Sequence, residues 1–70
     1  MKNYLICGIR DNLNVVWSWV EFNKILHSNV YEWTYGYNKN SFYTEEEAER
    51  HLETLQLRQK RVTNLRIVCM

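Results

Sequence analysis

No proline interrupts this chain of 70 residues and only two glycines do, so it lacks the composition of a disordered segment or a flexible linker. Cysteine is equally sparse. Cys7 and Cys69 are too few for a disulfide framework, and each sits among aliphatic residues, in LICGI and RIVCM, where a reduced thiol behaves as a small hydrophobe. The apolar stretch that follows Met1-Lys2-Asn3-Tyr4 is of strand length, too short for a signal-peptide core or a membrane span. A soluble cytoplasmic protein with no membrane partner is the expectation. A dominant charge is missing as well. The formal net charge is +1, which argues against strong nonspecific attraction to nucleic acid.

The residues of chemistry are absent in any working spacing. No nucleophile stands near a base, and no glycine-rich loop is present to cradle a phosphate. His27, His51, Cys7 and Cys69 lack the close-spaced pairs of a zinc site, so no metal is expected. Glu45, Glu46, Glu47, Glu49 and Glu53 read as the solvated start and outer face of a helix rather than as a paired acid and base. Neither an enzyme nor a cofactor is implied.

What the chain does have is apolar content, 46% hydrophobic residues against 24% charged, in a length that suits one compact domain spanning residues 1–70. The charges are also segregated. Thr44 to Leu57 carries five glutamates against Arg50, while Arg58 to Met70 carries Arg58, Lys60, Arg61 and Arg66 unopposed.

The clearest element is a helix from Thr44 to about Lys60. Thr44 with Glu47 three residues on is a capping box, and Glu45-Glu46-Glu47 complements the positive end of the helix dipole. Ala48, His51, Leu52, Leu55 and Gln59 form its narrow inner stripe. VTNLRIVCM after it reads as a strand, with Leu65, Ile67 and Cys69 on one side; NYLICGIR near the start reads likewise, with Leu5, Cys7 and Ile9 together. These two strands are candidates for neighbours at the centre of a sheet, and RDNLN supplies the turn that closes the first. The stretch from Val15 to Leu26 alternates like a strand, yet Val15, Trp19, Phe22 and Leu26 also fit a helix face; a strand to about Phe22 and an irregular turn through NKILHSN is the reading adopted. Val30 to Tyr37 is a third strand, ended by GYNKNS. The fold class is therefore α+β, an antiparallel sheet of three or four strands with one helix on one face, in the order βββαβ.

Six of the ten aromatic residues lie between Val30 and Tyr43, four of them at alternate positions, Tyr31, Trp33, Tyr35 and Tyr37. They are either core or an interface. A helix that presents Ala48, Leu52 and Leu55 covers only part of a sheet that also offers Leu5, Ile9, Leu65 and Ile67. The second strand would place Val15, Trp17 and Trp19 on one face and Val16, Val20 and Phe22 on the other. Apolar surface thus exceeds the cover available, which points to self-association, most simply a two-fold dimer, and to binding.

The length, the aromatic content, and a helix in FYTEEEAERHLETL followed by a final strand together resemble the small single-domain accessory proteins of bacteriophages and mobile elements, including anti-CRISPR and other anti-defence inhibitors. That resemblance implies a protein acting in the cytoplasm of a bacterial host cell by occupying a surface or ligand of its target, without catalysis. The function expected is a non-enzymatic inhibitor or sequestering partner of another protein, with Trp33, Tyr35, Tyr37 and Trp17 as partner-binding residues. A single-stranded nucleic-acid binder is the alternative, although VYEWTYGY carries Glu32 and no basic residue. A pocket for a small nucleotide between subunits, lined by tyrosines, is a further one.

Overall fold

A computed structural model describes residues 1–58 and 61–70. The chain forms β1 (Tyr4–Arg10), β2 (Leu13–Asn23), β3 (Ser28–Thr34), a short 3-10 turn at Lys39–Ser41, α1 (Glu45–Arg58) and β4 (Thr63–Cys69). The strands make one antiparallel sheet in the order β3-β2-β1-β4, with the helix on one face, so the α+β class and the βββαβ order hold. The expected Gln59 and Lys60 at the helix end lie outside the described residues. No described helix is long and apolar enough to cross a membrane.

Each turn follows from its residues. Arg10 faces Leu13, and Asp11 and Asn12 between them have φ of 52° and 64°, the two left-handed residues that a tight primed turn needs and that Asp and Asn tolerate. At the helix start the Thr44 amide donates to Glu47 Oε1 at 2.9 Å, and the Glu47 amide donates to Thr44 Oγ1 at 3.2 Å, completing the capping box. Accepting that amide holds the Glu47 carboxyl below its ordinary range.

The sheet departs from simple alternation in ways that decide what is buried. The helix packs on Ile6, which faces Ile67, so the inner face of β1 carries Tyr4, Ile6 and Gly8; Leu5 and Cys7 point to the opposite face, contrary to the pairing of Leu5 with Leu65 and Ile67. β4 is an edge strand rather than a central one; β1 and β2 occupy the centre. In β2, Val20 is an extra residue between the Trp19–Tyr31 and Glu21–Val30 pairs. This bulge resets the pleat, and Phe22, facing Asn29, falls on the same side as Trp19 instead of with Val16.

β2 is long because it serves two partners in turn. Its first part, to Val16, pairs with β1, and from Val16 onward it pairs with β3. Where β1 loses β2, Tyr43 takes the vacated place: its amide and carbonyl bond those of Tyr4 at 2.9 and 3.1 Å. The segment between Thr34 and Tyr43 reaches that position by crossing β2 at Ser18. Ser18 Oγ lies 2.7 Å from Ser41 Oγ and 3.0 Å from Thr34 Oγ1, and Ser41 Oγ accepts the Asn38 amide at 2.9 Å. Ser18 and Ser41 are fully buried, so these hydroxyls satisfy one another where water cannot. The second face of the sheet, expected to need a second molecule as cover, is thus partly covered by the chain itself.

Candidate functional site

The aromatic row divides. Tyr31 and Trp33 lie on the inner face, packed with Trp17 against the cluster of Ile6, Tyr43, Ala48 and Leu55. Trp17 stacks on Tyr31 at a centroid distance of 5.8 Å and meets Trp33 at 5.0 Å. Tyr43 sends its hydroxyl to the Trp17 carbonyl at 2.7 Å. Burial pushes its phenol well above the ordinary value. Of the four expected partner-binding residues, Trp17 and Trp33 are therefore chiefly core, half-buried and engaged. Tyr35 and Tyr37 are 68% and 57% exposed and stand beyond the end of β3, not within the strand expected to run to Tyr37.

The strand stops at Thr34 for a local reason. The Thr34 hydroxyl donates within reach of the Val16 carbonyl at 3.2 Å and the Gly36 carbonyl at 2.8 Å, drawing the next residues out of the ladder toward the crossing segment. Tyr37 then meets Phe42 edge to face at 5.6 Å.

His51 belongs to the same aromatic layer. Its ring meets Tyr31 at 4.6 Å and Tyr43 at 5.0 Å, and burial there lowers its pKa below the ordinary 6.5; the nearby Glu47 opposes that shift and Arg50 adds to it. Because the folded value is depressed, the unfolded chain takes up the proton first as pH falls. The stabilisation is whole above about 6.5 and drains away as pH drops through the interval down to the lowered value. Thermal melts from about pH 7 to about pH 5 should show a falling midpoint, and His51→Phe should flatten that limb. An unchanged slope in the variant would assign the pH dependence to another group.

Among the surfaces that the described residues leave open, two combine exposed apolar or aromatic side chains with a fixed local backbone or charge. One is the tip of the β2–β3 hairpin, which extends past the end of the β1–β2 ladder. Asn23 Oδ1 accepts the amides of Ile25 and Leu26, both at 3.0 Å, and His27 closes the loop with φ 51°. That ordered turn presents Ile25 and Leu26 at 89% and 71% exposure, with Phe22 and Val20 also exposed behind them. From the sequence NKILHSN reads only as an irregular turn. Its signal was two consecutive aliphatic residues inside a turn otherwise built of polar ones.

The other surface lies at the opposite end of β3. Arg10, Asp11, Trp33, Tyr35, Arg61 and Val62 surround an open cleft of about 630 Å³. The Arg10 guanidinium carbon stands 5.8 Å from the Tyr35 ring centroid. Among the described residues no cluster of metal-ligating side chains occurs. Compared with known protein families, curated proteins and solved structures, the chain matches none of them.

Proposed function

We propose that this protein is a non-enzymatic, stoichiometric binder that occupies a surface of another protein through the tip of its β2–β3 hairpin, as an inhibitor or sequestering partner. The observation that carries the reading is the hydrogen-bonded turn that holds Ile25 and Leu26 in solvent, backed by exposed Phe22 and Val20. A side chain of this size contributes about 1.5–3 kcal/mol when a partner buries it fully. The near-neutral net charge favours such desolvated contacts over electrostatic capture. Tyr35 and Tyr37 remain accessible for a second contact, whereas Trp17 and Trp33 support the domain. The resemblance to phage accessory proteins makes a host defence protein in the bacterial cytoplasm the partner class. Self-association is the second reading, favoured by the bulge that puts Phe22 beside Trp19 on a ribbon that β1 does not cover.

Affinity capture from a bacterial lysate, with and without nuclease, tests both the partner and the surface. Wild-type protein should retain a protein partner after nuclease, and the double variant Ile25→Asp, Leu26→Asp should lose it while melting within about 3 °C of wild type, as expected for exposed positions. Capture abolished by nuclease would refute a protein partner. Capture untouched by the double variant would move the contact off the tip. Light scattering of both proteins across a concentration series reads self-association, and a dimer that persists in the variant would exclude the hairpin as its interface.

A further inference from the structure

The cleft at the far end of β3 has a chemistry of its own. Arg10 comes from the end of β1, Arg61 from the approach to β4, and Trp33 and Tyr35 from the end of β3 and the residues after it. Among the described residues neither arginine has an ion-pair partner; Lys2 with Glu47, at 3.7 Å, is the ion pair they contain. Two guanidiniums with no ion pair among the described residues stand beside half-buried Trp33 and Tyr35, whose ring has Arg10 over it at 5.8 Å and is 68% exposed, so the surface offers fixed positive charge and an accessible aromatic ring together. Arginine donates in a planar fork that fits phosphate, and an aromatic face is sequence-tolerant toward bases.

We infer that this cleft binds a nucleoside monophosphate unit, with its phosphate between Arg10 and Arg61 and its base against Tyr35. Asp11 is part of the same wall and sets a limit on charge. Its carboxylate repels additional phosphates, so a monophosphate suits the site better than a triphosphate. The same unit could be a free nucleotide or the phosphorylated end of a single strand. The site sits at the opposite end of β3 from the hairpin tip and does not depend on the protein-binding reading.

Titration calorimetry on the full chain distinguishes these outcomes, using AMP, GMP, ATP, adenosine, inorganic phosphate and a 5′-phosphorylated oligonucleotide of about six nucleotides. A monophosphate should bind at least about tenfold more tightly than adenosine or inorganic phosphate, because both halves of the site must be engaged. Arg10→Ala with Arg61→Ala should weaken it by about tenfold or more, as should Tyr35→Ala, with circular dichroism unchanged. Tighter binding of the oligonucleotide than of AMP and GMP identifies a strand end as the source of the same chemistry; the reverse identifies a free nucleotide. Absence of heat with AMP and GMP at about 1 mM, or affinity equal in the double arginine variant, would overturn the assignment. The Ile25→Asp, Leu26→Asp variant should bind nucleotide as wild type does, which keeps failure at one end of β3 separate from failure at the other.

Discussion

Trp33→Ala is expected to destabilise the domain by about 3 kcal/mol or more, enough to unfold a large fraction of a chain this small. The ring is half-buried on the helix side of the sheet, against Trp17 at 5.0 Å and the cluster built on Ile6 and Leu55. Truncating it removes an aromatic wall that the narrow helical stripe has no bulk to replace. The same ring carries a defect. The Nε1 atoms of Trp33 and Trp17 are buried and find no hydrogen-bond partner among the described residues, and an orphaned donor costs about 1–3 kcal/mol. Trp33→Phe loses packing area but also deletes that orphan, so the two effects oppose and the net change should stay within about 1 kcal/mol. Urea denaturation followed by circular dichroism compares the two variants. A Trp33→Ala protein with a wild-type midpoint would show that the ring is an interface anchor rather than part of the core.

Gly8→Ala should cost about 2–3 kcal/mol, a fall of about 10–20 °C in melting temperature. A Cβ at this position would lie well inside contact distance of Val62 Cγ1, and 3.3 Å from both Leu65 Cδ2 and the Thr63 carbonyl. Val62 is buried and β-branched, so it has little freedom to turn aside. Two residues of β4, Asn64 and Leu65, oppose the single Gly8, and Asn64 adopts φ 54° to make that bulge. The missing side chain on β1 is what lets the approach to β4 close over the sheet. Gly36 supplies the control: among the described residues nothing lies within 4 Å of its would-be Cβ, and its φ is not positive. Gly36→Ala should be neutral or stabilise by up to about 1 kcal/mol. Equal losses at both glycines in differential scanning calorimetry would contradict this account.

The helix was legible because its signals are local: Thr44 and Glu47 name the first turn, and the three glutamates confirm its polarity. The β1–β2 turn was legible for the same reason, with Asp11 and Asn12 at the two positions that must turn left-handed. The face of β1 was not. LICGI is apolar at nearly every position, and a run without alternation does not reveal which of Leu5 and Ile6 meets the helix. Nor did the sequence disclose the bulge at Val20, where one inserted residue moves Phe22 to the other side of the sheet. Tyr35 and Tyr37 have strand propensity in full, yet the strand ends before them, where the Thr34 hydroxyl has the Gly36 carbonyl as its nearer acceptor at 2.8 Å and the Val16 carbonyl at 3.2 Å. The cleft joins Arg10, Tyr35 and Arg61 from three distant parts of the chain, and no local pattern encodes that meeting.

The antiparallel pairing of β1 with β4 brings together residues as far apart as Tyr4 and Cys69, 65 positions along the chain. The β2–β3 hairpin, by contrast, closes through only the loop between Asn23 and Ser28. Loop-closure entropy must be met before the distant strand returns any contact energy, so the search for the β1–β4 register, rather than hairpin formation, governs how fast such a topology assembles. Contact order therefore predicts an early part and a late one, which hydrogen-exchange pulse labelling during refolding would distinguish. The apolar tip belongs to the early part, and the arginine cleft, which needs the approach to β4 for its second guanidinium, is completed only when the most distant pairing in the chain is made.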